Sequence, residues 1–356
     1  NNFVENARLP SDVQSTCVAD ISPWFISQQI SQNGWVNPAN SLNPIFADSA
    51  NNTRCDFYKW GSQMFLWLTS GVGDQHVFTT TPGFYNISVK SGGQRTFETG
   101  NAPMRLVVRK GKTDTEIELG QAGNSDILLS QNEALVYYGI HANDVYALYT
   151  TQQKVAGSSG TEFPNTQEQL ASVSEFAQSY GYPLGWDKMA LAMELKTSWV
   201  DASTLADSSQ YVLSKAVVPV FDRTNKSGPW PVIYNQEVTL ALVGMHVVGT
   251  VNSHPEMVWS TFEHVDNVPD NAYVYNVSKT STKTQAYKST GKDWNFLPES
   301  AALPASIKAN GVTQTASGSS LTTEIACVKD SSNQCVPDAI SANDVARIDA
   351  FGNLHG

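Results

Sequence analysis

The run Leu240-Ala241-Leu242-Val243-Gly244-Met245-His246-Val247-Val248 is apolar at both its even and its odd positions, with His246 as the one polar side chain. A strand open to water on one side alternates apolar with polar residues, so a run apolar on both sides predicts a central strand covered on both faces. Such a strand needs partners on both edges. The residues from Met189 to Trp199 offer one, with Met193, Leu195, Thr197 and Trp199 falling on one face and Glu194, Lys196 and Ser198 on the other. Residues 188–200 and 231–251 are therefore predicted strands. Shorter β-branched runs separated by turn residues precede them: His76 to Thr80, Phe84 to Val89, Met104 to Val108, Ile127 to Leu129 and Leu135 to Ile140, the last two joined at Gln131-Asn132-Glu133.

Three helices are predicted among these strands. Asp56 caps a first one, whose Phe57, Trp60, Met64 and Leu68 recur at helical spacing. Asn165 or Thr166 starts a second, which runs through Leu170, Val173 and Phe176 and stops at Gly181. Ser253-His254-Pro255-Glu256 has the form of a capping box with an early proline, which predicts a third helix from about His254 to about Val265. The fold expected is α+β: a β-rich globule with a central, mostly antiparallel sheet and a few flanking helices. Along the chain this gives an irregular arm (1–55), a first β-rich lobe (56–164), a second lobe with the central strands (165–290) and a loop-rich segment (291–356). At this length the two lobes fit one large domain or two packed ones equally well.

Charged residues are only 15% of the chain, and the net charge is −11 with 22 Lys and Arg that do not cluster. That balance argues against a nucleic-acid partner and against attraction to anionic lipid. No stretch of eighteen uninterrupted apolar residues occurs, so membrane insertion is not expected. The chain opens on Asn1 without a basic and then apolar segment, as a mature exported chain would after loss of its signal peptide. Cys17, Cys55, Cys327 and Cys335 make no C-x-x-C pair, and an even count in an exported protein reads as two disulfides. Three connectivities are open, and proximity favours Cys17–Cys55 with Cys327–Cys335. Together these features predict a secreted or periplasmic protein.

No G-x-S-x-G elbow, H-E-x-x-H helix, phosphate-cradling glycine loop or C-x-x-C-H is present, the last excluding covalent haem. His254-Pro255-Glu256 matches half of a zinc-deaminase signature, but its P-C-x-x-C partner is missing. The candidate chemistry lies instead in Glu194, Lys196, His246 and His264. If the helix predicted after His254 folds back along its own strand, His264 returns to the level of His246. The pair would then ligate a divalent transition metal, with Glu194 joining if its strand neighbours that of His246. The plainer alternatives are a solvated outer face for Glu194 and Lys196 and structurally satisfied histidines. His141, beside Tyr137, Tyr138 and Tyr146, fits either an aromatic-lined pocket or a strand-to-helix junction capped by Asn143 or Asp144.

The runs Phe57-x-x-Trp60-x-x-Gln63-x-Phe65-Leu66-Trp67-Leu68-Thr69, Tyr138 to Val145, Glu194-Leu195-Lys196-Thr197-Ser198-Trp199 and Trp259-Ser260-Thr261-Phe262-Glu263-His264-Val265-Asp266-Asn267 resemble those of an uncharacterised family of secreted bacterial proteins. The resemblance implies export and a shared fold, and it carries no mechanism. The expectation from sequence is an exported enzyme with a Glu194, Lys196, His246 and His264 pocket, acting on a small or saccharide-like substrate. The alternative is a non-catalytic surface protein whose aromatic side chains bind a carbohydrate or a partner.

Overall fold

The computed structural model describes residues 24–25, 36, 54–80, 83–89, 95–98, 104–105, 126–151, 163–182, 190–224, 229–251, 254–267, 273–278, 281–285, 294–296, 311–317, 320–326, 328–329 and 335–336. Among the described residues three α-helices, α1 (Arg54–Leu68), α2 (Asp144–Thr151) and α3 (Gln167–Tyr180), accompany the strands. A small hairpin of β1 (Gly71–Val72) and β2 (Gln75–His76) precedes β3 (Phe84–Val89), β4 (Arg95–Glu98), β5 (Met104–Arg105) and β6 (Asp126–Leu128). Then follow β7 (Tyr137–Asn143), β8 (Met193–Asp201), β9 (Leu213–Phe221), β10 (Pro229–Val251) and β11 (His254–Glu263). Two further hairpins are β12 (Tyr273–Ser278) with β13 (Ser281–Gln285), and β14 (Gly311–Ser317) with β15 (Ser320–Ala326). The β-rich α+β architecture expected from the sequence is the one observed. The side chains of all four cysteines lie outside the described residues, as does the expected arm for the most part.

The 23-residue β10 is the spine of the sheet. It pairs antiparallel with β9 from Val232 to Ala241, with β8 from Leu240 to Gly249 and with β11 from Gly244 to Val251, while β8 pairs in turn with β7, and β7 with β3. The one parallel pairing in this group joins β5 to β9. The central-strand expectation for residues 240–248 is met: Leu240, Ala241, Leu242, Val243, Met245, Val247 and Val248 are all buried.

On one face of the sheet lies the largest core. It joins Trp60, Met64, Trp67 and Leu68 of α1 to Met193, Leu195 and Trp199 of β8 and to Met245 and Val247 of β10. The alternation read in β8 thus holds, with the Met193, Leu195, Thr197 and Trp199 side inside. Gly61 lets α1 press against β11, because a Cβ there would overlap the Ser260 hydroxyl and stand 2.8 Å from its Cβ. The opposite face carries two smaller clusters: α2 and α3 cover Ile140, Ala142 and Ala192 near one end, and Phe296 packs on Val136, Tyr138, Val200 and Val243 near the other.

The helix expected from His254 to Val265 is not formed. Residues 254–263 are a strand, hairpinned to β10 with Val251 opposite His254. The capping pattern is local, whereas Met257-Val258-Trp259-Ser260-Thr261-Phe262 is rich in β-branched and aromatic residues and belongs to a strand that starts only two residues after β10 ends. Ladder pairing with an already buried strand outweighs a helix start whose first turn has no face to bury. Among the described residues β11 pairs only with β10, so Pro255 sits on an edge strand, where its missing N–H is tolerated.

Candidate functional site

Directly opposed residues of antiparallel strands turn their side chains to the same face, so the pairing register places the polar groups of β8, β10 and β11 in rows. Glu194, Val248 and Trp259 form one row, Lys196, His246 and Thr261 the next, and Ser198, Gly244 and Glu263 the third. On the far side of β8 the rows continue into Ala142, Ile140 and Tyr138 of β7. Burial falls outward from β7 in the second and third rows, and in the first it is interrupted by the buried Val248. Ala142, Ile140 and Tyr138 are buried under the smaller clusters, Glu194, Lys196, Ser198 and His246 are half-buried, and Trp259, Thr261 and Glu263 are exposed. The helical layer covers β7 and β8, reaches β10 and β11 at the Thr250 end, where the Thr250 hydroxyl donates to the Pro164 carbonyl and Met257 packs on the same cluster, and leaves a ledge beside it with Glu194, Lys196 and His246 at its foot.

His246 Nδ1 lies 2.7 Å from the Thr261 hydroxyl directly across the β10–β11 ladder. Burial, and then the Lys196 charge on the neighbouring strand, hold the imidazole below its ordinary pKa, which favours the neutral ring. A hydroxyl both gives and takes a hydrogen bond, so Thr261 serves either tautomer and Nε2 is able to accept or to donate a proton. The Lys196 ammonium is withdrawn from solvent, with Nζ 5.9 Å from the centre of the Tyr138 ring, within cation–π range. Partial desolvation raises the carboxyl of Glu263, in the row beside His246, above the usual carboxylate range.

The structure brings Glu194, Lys196 and His246 onto one face and leaves His264 away from it. His246 is opposite Thr261, and His264 follows three residues later, about 10 Å further at strand rise. The His264 ring stacks on Tyr211 with centroids 3.6 Å apart, its Nε2 meets the Gln210 carbonyl at 3.3 Å, and its Nδ1 accepts the Asp266 N–H at 3.2 Å. A neutral ring protonated on Nε2 satisfies both bonds and has no lone pair left for a metal. The shared site expected of His246 and His264 depended on a helix, whose smaller rise would have returned His264 to the level of His246; the strand carries it past. Among the described residues no group of three or more His, Cys, Asp or Glu is placed to hold a metal ion.

His141 is structural. It is 1% exposed, its Nε2 meets the Thr197 hydroxyl at 3.0 Å, and burial pushes its pKa down to about 3. Asn143 is the cap of the junction, its side-chain oxygen accepting the N–H groups of Tyr146 and Met193. Sequence reasoning missed Trp259, Thr261 and Glu263 as partners of His246. Their signal was the β-branched and aromatic run from Met257 to Phe262, and the period of two in a strand then places Trp259, Thr261 and Glu263 on one face.

No helix among the described residues is long and apolar enough to cross a membrane. No protein-family model matches the chain, and neither a curated protein nor a solved structure matches it.

Proposed function

We propose that the protein is an exported enzyme that performs acid–base chemistry on a small polar substrate at the ledge formed by β8, β10 and β11. The observation that carries this reading is His246, neutral by virtue of burial and Lys196, and oriented through Nδ1 by Thr261. A ring in that state takes a proton at Nε2 and returns it without first having to lose one to solvent. Lys196 has two roles in the reading: it keeps His246 neutral and supplies positive charge beneath the place where negative charge would develop. Glu194 stands one row away on the same face and accepts hydrogen bonds from the substrate. Export rests on the low charged fraction and the even cysteine count. Neither His264 nor a metal is needed.

The test is a panel of p-nitrophenyl esters, phosphates and glycosides assayed with the intact protein and with His246→Gln. Turnover of at least one class, reduced at least about 100-fold in the variant, is the expected result. Equal rates for the two proteins on every substrate turned over would sink the reading.

Recognition without chemistry is the second reading, favoured by the exposure of Trp259 at 69%. Ligand binding without any turnover across the panel would decide for it.

A further inference from the structure

Trp259 is the one tryptophan with a described side chain that the fold does not bury: Trp24, Trp60, Trp67, Trp199 and Trp294 are 0–3% exposed, against 69% for Trp259. Leaving an indole in water forgoes one of the largest burial gains a side chain offers. Here it is left in water beside polar groups, in the row that ends on Glu194 and next to the row of Thr261, His246 and Lys196. Val248, between the indole and Glu194, is 7% exposed and therefore covered, so the open side of the indole faces Thr261 and, beyond it, His246. In the row beyond His246, Gly244 projects no side chain at all.

From these observations we infer that the ledge binds an oligosaccharide, with one pyranose ring stacked on Trp259 and the next lying over Glu194 and His246. The inference rests on the acid–base reading of this face and names its substrate class. A pyranose presents a C–H face to an indole and a rim of hydroxyls to groups around it, which is the combination this surface offers. A flat aromatic ligand would cover the indole but leave Thr261, Glu263 and Glu194 facing no donor or acceptor. From Trp259 to Glu194 are two inter-strand steps, about 10 Å in all, a span that suits two linked rings better than one. A ring on Trp259 brings its rim toward Thr261, one alternate position along β11 and about 7 Å away. The next ring then lies where His246 Nε2 reaches a hydroxyl or the linking oxygen.

The experiment is calorimetric titration of the full chain with maltotetraose, cellotetraose, chitotetraose and xylotetraose, following tryptophan fluorescence in parallel. Trp259→Ala and Trp259→Phe are measured beside it after circular dichroism shows them folded; Trp259 lies on the exposed face, so neither change empties the core. Binding of at least one sugar is expected, weakened about tenfold or more in Trp259→Ala and less in Trp259→Phe. No binding of any of the four, or equal affinity in Trp259→Ala, overturns the inference. His246→Gln separates this from the catalytic reading, since it should lose turnover while the sugar binding that remains still depends on Trp259. Trp259-dependent binding with no turnover anywhere would remove the enzyme and keep the saccharide. His246-dependent turnover of non-sugar substrates alone, unchanged in Trp259→Ala, would do the reverse.

Discussion

Three histidines in this molecule have three different fates, and in each case the partner decides. His141 is enclosed and bonded to the Thr197 hydroxyl, His264 has both ring nitrogens committed to backbone groups, and His246 is bonded through Nδ1 alone among the contacts described. Only the last is in a position to exchange a proton with a bound molecule. Its depressed pKa has a direct kinetic consequence. Protonation disables the base, so activity falls on the acid side through the pKa of His246, which lies below the ordinary value of 6.5. A pH–rate profile should therefore have its acid limb below pH 6.5. Thr261→Val, which removes the bond to Nδ1, should lower kcat about tenfold to a hundredfold and leave the melting temperature nearly unchanged, because Thr261 is exposed. An acid limb above pH 7, or full kcat in the valine variant, would remove His246 from the chemistry.

At the scale of elements, α1 and β11 hold each other across the main core face, with Phe65 stacked on Phe262 at 4.4 Å and Gly61 against Ser260. Gly61→Ala would ordinarily favour a helix, but here the added methyl has no room, and a loss of about 1–3 kcal/mol is expected in urea unfolding. Ser260→Gly in the same chain should recover most of that loss, and an unaltered midpoint for Gly61→Ala would show that the helix is not pressed against the strand. Trp60→Ala, at a fully buried position of the same helix, should cost about 3–5 kcal/mol. The packing partners of α1 explain what could be read in advance. Helix α3 with its Thr166 cap and left-handed Gly181 was legible because periodicity, cap and burial agree there, and α1 and the faces of β8 because periodicity and burial do, although α1 begins at Arg54 and so takes the expected cap Asp56 inside it. Residues 254–263 carried two signals in conflict, a helix-start pattern of four residues and a strand pattern across the rest. The conflict was resolved by β10, and no local reading contains β10's edge. The site was half legible for the same reason. Glu194, Lys196 and His246 lie on strands read as strands, while Trp259, Thr261 and Glu263 lie on an element whose type was misread, as was His76 to Thr80, where a 3-10 turn over Val77–Thr79 stands in place of the expected strand.

For the molecule as a whole, the buried histidines set how stability responds to acid. His141 has a pKa of about 3 in the folded protein against 6.5 in the ordinary state, and His246 is shifted in the same direction. The unfolded chain therefore binds protons that the folded chain refuses, and stability rises with pH wherever that difference exists. The contribution of each ring is complete above about pH 6.5 and is lost as pH falls toward its folded pKa. For His141 the slope approaches about 1.4 kcal/mol per pH unit once the unfolded ring is fully protonated. Glu263 acts in the other direction, since its raised carboxyl disfavours the charged form, so just above the ordinary carboxylate range it offsets part of the histidines' slope. Urea unfolding between about pH 5 and 6.5 should show stability falling with acid, and His141→Gln should flatten the fall, because an amide in the same enclosure has no proton to gain. The glutamine variant is expected to be less stable than the parent at pH 8 and to approach it near pH 5. Parallel curves for the two proteins would mean that water reaches His141 in the folded state, and the enclosure formed by Phe78 and Thr197 around it would then be open in solution.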